Sequence, residues 1–307
     1  MTAATSSNSR DQRRFGRTGY VALLGRPNTG KSTLLNTVLG QRLAAVSSKP
    51  QTTRKRLLGI HTDKDAQIIF LDAPGVHVGK LELDKAMDKA IARALEDADL
   101  LVVMLDPTRE PGAEDELTAG LAAGCGKPAI LAVNKTDVAS AADIARSLAF
   151  YRQRLPDAPF LEIVALDRVR SEALLEQVKA MLPEGPFLYG DDDITNTSER
   201  DIAAELIREA LLEELRQEVP HSVAVAVDSW KKKGNRLRLD ATLYIERENH
   251  KAIIIGRGGQ KIARIRESAE QRLQAFTGAP ITLCLFVKVA PDWRQKKKLL
   301  QEFKLLE

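Results

Sequence analysis

Cysteine, histidine and aromatic residues are all scarce in this 307-residue chain, and each scarcity removes a class of protein. The two cysteines, Cys125 and Cys284, stand far apart and outside any CxxC spacing. That excludes a disulfide framework and a cysteine-based zinc site, and leaves two small core hydrophobes as the reading. Four histidines, His61, His77, His221 and His250, show no metal-ligand spacing and read as structural or surface groups. Aromatics are 5% of the residues, and Trp230 and Trp293 read as packing groups rather than base-stacking platforms. No apolar run approaches the ~18 residues of a membrane span. Residues 1–17 lack the apolar centre of a signal peptide. They carry Arg10, Arg13, Arg14 and Arg17 and read as a disordered basic tail, with transient contact to RNA or anionic lipid as the alternative. A cytoplasmic protein fits these absences.

What is present is ordinary for a soluble globular protein: 44% hydrophobic and 29% charged residues, with a length that predicts two domains. The net charge of +4 hints at an acidic partner. From Tyr20 to about Met181, continuous apolar runs alternate with helical patterns. Tyr20 to Leu24, Leu100 to Leu105, Ala129 to Val133 and Leu161 to Val164 read as buried strands, and Leu57 to Thr62 with Gln67 to Leu71 as a strand pair. Such a pattern predicts an α/β fold, a mostly parallel sheet with helices on both faces, over residues 18–182. Residues 183–199, with Pro183, Gly185, Pro186 and Gly190, read as a linker. Residues 200–295 then run helix (Asp201 to Val219), strand, strand, helix, helix, strand, enough for a second, α+β core, and 296–307 read as a tail.

Gly25-Arg26-Pro27-Asn28-Thr29-Gly30-Lys31-Ser32 matches GxxxxGK[ST], followed by Thr33 on the helix it opens. It lies between a predicted strand and a predicted helix, the context the motif requires. Main-chain N–H groups and the helix N-terminus would cradle phosphate, Lys31 would reach the β- and γ-phosphates, and Ser32 would ligate Mg²⁺. Asp72-Ala73-Pro74-Gly75 follows the next buried run. Asp72 at the strand end can hold Mg²⁺, and Gly75 brings an N–H to the γ-phosphate. Asn134-Lys135-Thr136-Asp137 follows another strand. The Asp137 carboxylate can accept from both N1–H and the 2-amino group of guanine, a donor pair that adenine lacks.

These three motifs resemble those of the translation-factor-related GTPases. The run Lys49-Pro50-Gln51-Thr52-Thr53-Arg54 is similar to the switch I signature of the Era family, as are Tyr189 to Thr195 and the second domain with its glycine-rich loop. The resemblance covers about Tyr20 to Trp293. It implies that Thr53, or Thr52, joins Ser32 and Asp72 on Mg²⁺, and that Asn28 serves a K⁺ ion. It also matches the base-contacting loop to Val164-Ala165-Leu166, where the family has Ser-Ala. The Ala165 N–H would still reach guanine O6, while the supporting serine is lost, so weaker guanine binding is expected. Ala73 stands where the family has Thr. Val76 stands where Ras-like enzymes have a water-positioning Gln, so turnover should be slow and accelerated by K⁺ or a partner. The catalytic set on this reading is Lys31, Thr53 and Gly75.

Ile255-Gly256-Arg257-Gly258-Gly259, followed by Gln260 and Lys261, contains GxxG between two helical segments. KH domains clamp about four single-stranded nucleotides with such a loop, and the order of elements resembles the type II arrangement. Arg257, Lys261 and Arg264 supply charge there, and Thr242, Tyr244 and Val287, or their neighbours, are candidates for reading bases. Further basic clusters, Lys231 to Arg238 and Lys296 to Lys298, read as solvated surface. The Era resemblance implies a monomer that binds GTP or GDP and the 3′ end of 16S rRNA, acts in 30S ribosomal subunit assembly, and touches the membrane loosely from the cytoplasm. Two other readings remain: a GTP-regulated interaction scaffold whose KH-like domain binds no RNA, and a switch with relaxed base choice because of Val164.

Overall fold

The computed structural model describes residues 14–47, 49, 51–215 and 222–306. Residues 1–13 of the expected tail, Pro50, the end of the expected helix at Val219, and His221 lie outside them. The N-terminal domain is built on strands β1 (Phe15–Leu24), β2 (Leu57–Thr62), β3 (Ala66–Asp72), β4 (Leu100–Leu105), β5 (Ala129–Val133), β6 (Phe160–Glu162) and β7 (Glu184–Pro186). Their order is β2-β3-β1-β4-β5-β6, with β7 pairing the start of β1. All pairings are parallel except β2 with β3 and β7 with β1. β3, β4 and β5 are buried along their whole length, as expected for strands covered on both faces. The covering helices are α1 (Lys31–Leu39), α2 (Glu82–Asp97), α3 (Ala113–Gly124), α4 (Ala141–Arg152) and α5 (Arg168–Met181). Because the strands are parallel, the loops after β1, β3, β4, β5 and β6 emerge at one edge, where ligands bind in such sheets.

The second domain orders α6 (Glu199–Glu214), β8 (Val223–Lys233), β9 (Arg236–Ile245), α7 (Glu248–Ile255), α8 (Gln260–Thr277) and β10 (Ile281–Val289). Its sheet runs β10-β9-β8, with β10 parallel and β8 antiparallel to β9. One face of the sheet, through Leu239, Ala241, Leu243 and Ile245, joins the buried face of α6 and α8 in a core continuous with that of the first domain.

Residues 15–17 at the end of the expected N-terminal tail, the expected linker and the expected C-terminal tail differ from expectation. Phe15, Gly16 and Arg17 are strand residues, paired with Pro186, Gly185 and Glu184. The linker is thus partly sheet. Its remainder is tied down by Gln67, whose Oε1 accepts the N–H groups of Leu188 (2.7 Å) and Tyr189 (2.9 Å), and by the Ile60 N–H to Ile194 carbonyl bond (2.8 Å). Residues 297–302 form a helix, α9, and Leu300, Phe303 and Leu305 are buried with Trp293 and Tyr244 of the second domain and Leu83 and Met87 of α2. The C-terminal segment is therefore a wedge between the domains. Local pattern missed it because a six-residue helix shows less than two turns of periodicity. Cys125 and Cys284 are free and only half-buried, so neither is a core residue.

Candidate nucleotide and nucleic-acid sites

The loop after β1 wraps back on itself around α1. Gly30 sits at φ 100°, and a Cβ there would lie 2.3 Å from Asn134 Nδ2, so only glycine fits. Asn134 donates that Nδ2 to the Thr29 carbonyl at 2.8 Å, joining the loops after β1 and β5. Thr29 donates its hydroxyl to the Arg26 carbonyl at 3.1 Å. Lys31 is buried and donates to the carbonyls of Gly25 (2.9 Å) and Arg26 (3.0 Å). Burial lowers its pKa to about 8, against the opposing pull of Asp72 and Glu114.

Ser32 Oγ donates to Asp72 Oδ2 at 2.6 Å, which leaves the Thr53 hydroxyl as donor to Ser32 at 2.8 Å. The three expected metal ligands therefore meet at one point. Thr52 does not join them: its hydroxyl donates to the Lys49 carbonyl at 2.6 Å. Asp72 is buried, and its Oδ1 has no hydrogen-bond partner. Burial raises the carboxyl to about 6, although the Ser32 hydrogen bond and the Lys31 charge pull it down. An unpartnered buried carboxylate oxygen beside two hydroxyls fits a hard cation bound by oxygen. The Val76 N–H donates to the Gly25 carbonyl at 3.0 Å, which holds the Asp72-Ala73-Pro74-Gly75 loop against the phosphate loop. Ala73 and Val76 turn their side chains into the core.

Beside the phosphate loop lies a cavity of about 630 Å³, lined by Asn28, Asn134, Lys135, Asp137, Val164 and Ala165 among others. Asp137 is exposed on its wall, Leu166 is 81% exposed at its rim, and Thr136 donates to the Ile163 carbonyl at 3.1 Å. A smaller pocket, lined by Pro27, Lys31, Ser32, Thr33, Thr53 and Gly75, adjoins it and shares Asn28 and Gly30. The Ala165 N–H donates to Asn134 Oδ1 at 2.8 Å, so this amide braces the loop, and a guanine O6 would have to share it. The Ser171 hydroxyl supports the Val164 carbonyl at 3.2 Å.

Asp106, just past β4, escaped the sequence reading. It accepts from Lys135 Nζ at 2.6 Å and from Thr108 Oγ1 at 2.6 Å, and its carbonyl takes Arg26 Nη2 at 2.8 Å. Burial pushes the carboxyl up, but the Lys135 and Thr108 hydrogen bonds outweigh it and hold it below the usual range. Its signal was an acid at the C-terminal end of a buried parallel strand. His77 also proves to be engaged, donating from Nε2 to Asp84 Oδ1 (2.9 Å) beside the Gly75 loop.

In the second domain, Gly256 ends α7 at φ 73°, and a Cβ there would meet Lys261 Cβ at 2.7 Å. The glycine-rich turn is thus packed onto the start of α8 while Arg257 and Gly258 stay exposed. Arg257 and Lys261 make no ion pair among the described residues, whereas Arg264 is paired with Glu214 at 3.1 Å. Ile255 is half-buried beneath the turn, and Gly259 closes it with its N–H to the Gly256 carbonyl at 3.2 Å. Thr242 and Tyr244 are buried elsewhere. Thr242 donates to Asp228 at 2.7 Å, and the Tyr244 ring lies 4.4 Å from that of Phe303, so both side chains are engaged within the protein. Phe286 on the outer strand β10, 57% exposed, is a ring that the sequence reading passed over. Trp293 is fully buried, a packing residue as expected.

A phosphate loop, a strand-end aspartate and an NKxD loop at one edge of a parallel sheet define a P-loop GTPase, here joined to a KH fold. The model of the 50S ribosome-binding GTPase family matches residues 20–135, and that of the KH domain matches 218–294. The GTPase Era of Geobacter metallireducens is 38% identical over 93% of this chain and 97% of its own. That of Caldanaerobacter subterraneus subsp. tengcongensis is 41% identical over 93% and 97%. Two solved structures superpose with TM-score 0.90 at 36% identity, covering 95% of this chain and all of theirs. One is an Aquifex aeolicus Era variant bound to GDP·AlF4⁻, the other Era in complex with MgGDPNP and nucleotides 1506–1542 of 16S ribosomal RNA. The chain belongs to the GTPase Era family, and it is a GTPase.

Proposed function

We propose that the chain is a slow GTP-hydrolysing switch that binds single-stranded RNA, and that its RNA is the 3′ end of 16S rRNA in the 30S subunit. One observation carries the reading: a nucleotide pocket and an exposed GxxG turn occur in one chain, 95% of which matches Era in complex with that RNA. The "50S" of the shorter family model covers only the first domain and does not choose the RNA.

Asp137 selects guanine, with Asn134 and Lys135 holding its loop against Thr29 and Asp106. The main chain of Gly25 to Thr33 and Lys31 take the phosphates; Lys31 gives up its carbonyl partners to do so. Ser32, Thr53 and Asp72 would hold Mg²⁺, which neutralises charge on the β- and γ-phosphates when bound. Gly75 presents its N–H to the γ-phosphate. No side chain at position 76 can orient the attacking water, since Val76 is buried, and turnover is slow for that reason. Asn28 is the group we assign to K⁺. Arg257 and Lys261 contact the RNA backbone at the GxxG turn, with a smaller share from Arg264 because Glu214 already pairs with it.

The test is filter binding of short RNAs, one with the 3′-terminal 16S sequence and one scrambled, with GTP or GDP present. Preference for the 16S sequence, changing with the nucleotide, is expected. Equal binding of both RNAs would remove the 16S assignment. Equal hydrolysis rates in Na⁺ and K⁺ would remove the role of Asn28.

A further inference from the structure

Switch I is held from two sides. On its inner side Thr53 meets Ser32. On its outer side the KH domain grips it at three points. Glu209 of α6, fully buried, accepts the Val46 N–H at 3.0 Å and pairs with Arg42. Arg208, its neighbour, is buried and donates to the Thr52 carbonyl. Arg54 reaches the other way. Its guanidinium donates to the Val223 carbonyl at the start of β8 at 2.7 Å and lies 5.5 Å from the centroid of the Trp293 ring. Thr53 is therefore flanked in sequence by two residues whose partners belong to the other domain. Each residue has two soft backbone dihedrals, so a chain pinned at positions 52 and 54 leaves the residue between them little freedom.

We propose that Arg54 is a positioning residue for the GTP site, through which the docked KH domain decides where the Thr53 hydroxyl stands. This rests on the GTPase reading of Ser32, Thr53 and Asp72. It goes beyond that reading in making the grip of β8 and Trp293 on switch I a determinant of the hydrolysis rate. GDP affinity is set elsewhere, because GDP lacks the γ-phosphate whose magnesium contacts order switch I.

The test compares the full-length wild type with Arg54→Met and Arg54→Lys. The methionine variant keeps a side chain of similar length and removes the guanidinium's grip, and Tm reads the stability lost with the unpaired Val223 carbonyl. Three quantities are read: kcat for GTP, Kd for a fluorescent GDP, and Tm. The expected result is kcat down by about 10-fold or more in Arg54→Met, a smaller loss in Arg54→Lys, and GDP affinity within about twofold of wild type. Unchanged kcat overturns the proposal, and so does a parallel fall of kcat, GDP affinity and Tm, which marks a merely structural role. If Arg54→Met does not fold, kcat and GDP affinity of Arg54→Lys decide by the same criteria. A wild type that hydrolyses no GTP would instead sink the underlying GTPase reading.

Discussion

Ser32 and Asp72, forty residues apart, are joined by a 2.6 Å hydrogen bond that ties the phosphate loop to the end of β3. The second carboxylate oxygen is left buried without a partner. The arrangement is costly without a cation, and the cost is measurable.

Asp72→Asn should stabilise the metal-free protein and abolish magnesium-dependent hydrolysis. The folded carboxyl titrates at about 6, above its ordinary 3.8. For an acid shifted upward, the folded state holds more protons, so stability falls as pH rises from about 4 to about 6 and is flat above. The shift corresponds to about 2–3 kcal/mol. Thermal melts in EDTA at pH 5 and pH 7.5 check it: the wild type should melt higher at pH 5 by more than the variant does.

Asp137→Asn should exchange guanine for xanthine. The amide offers a donor where xanthine has an oxygen and leaves the guanine donors poorly matched. Loss of GTP affinity of about 10²-fold or more is expected, with XTP binding gained. Competition binding with GTP, XTP and ATP measures both.

Val164→Ser should tighten nucleotide binding slightly. The Val164 carbonyl is already supported by Ser171, so a new hydroxyl adds about one hydrogen bond, roughly 0.5–1.5 kcal/mol at most. GDP affinity by titration calorimetry reads the gain.

Gly258→Asp should abolish RNA binding while GDP affinity stays at the wild-type value. Gly258 lies at φ 57° with open space around it. Aspartate is among the residues that tolerate this region, so the turn survives and its new charge repels phosphate. If RNA binding persists, the interaction-scaffold reading of the KH domain gains. In the same assay Arg257→Ala should reduce the salt dependence by about one phosphate contact.

Phe303→Ala should cost about 3–5 kcal/mol, a loss that a solvated tail would never show. The ring is buried against Tyr244 and stands edge-on to Trp293 at 5.6 Å. Denaturant unfolding measures the loss.

The sequence by itself determined the chemistry of the nucleotide site. On the proposed function, phosphate is taken by the main chain of one contiguous loop and guanine by one aspartate in a four-residue loop, so Gly25 to Ser32 and Asn134 to Asp137 are legible as strings. The alternation of strands and helices was legible too, because burial on both faces leaves continuous apolar runs at Leu100 to Leu105 and Ala129 to Val133. Only the tertiary structure brought Thr53 rather than Thr52 to Ser32, brought Asp106 to Lys135, and buried Thr242 and Tyr244. It also turned the C-terminal segment, and residues 15–17 at the other end, into packed structure. Those outcomes depend on partners far apart in the chain, such as Arg54 with Val223 or Gln67 with Tyr189. A short segment that gains its order only from such partners carries no period of its own.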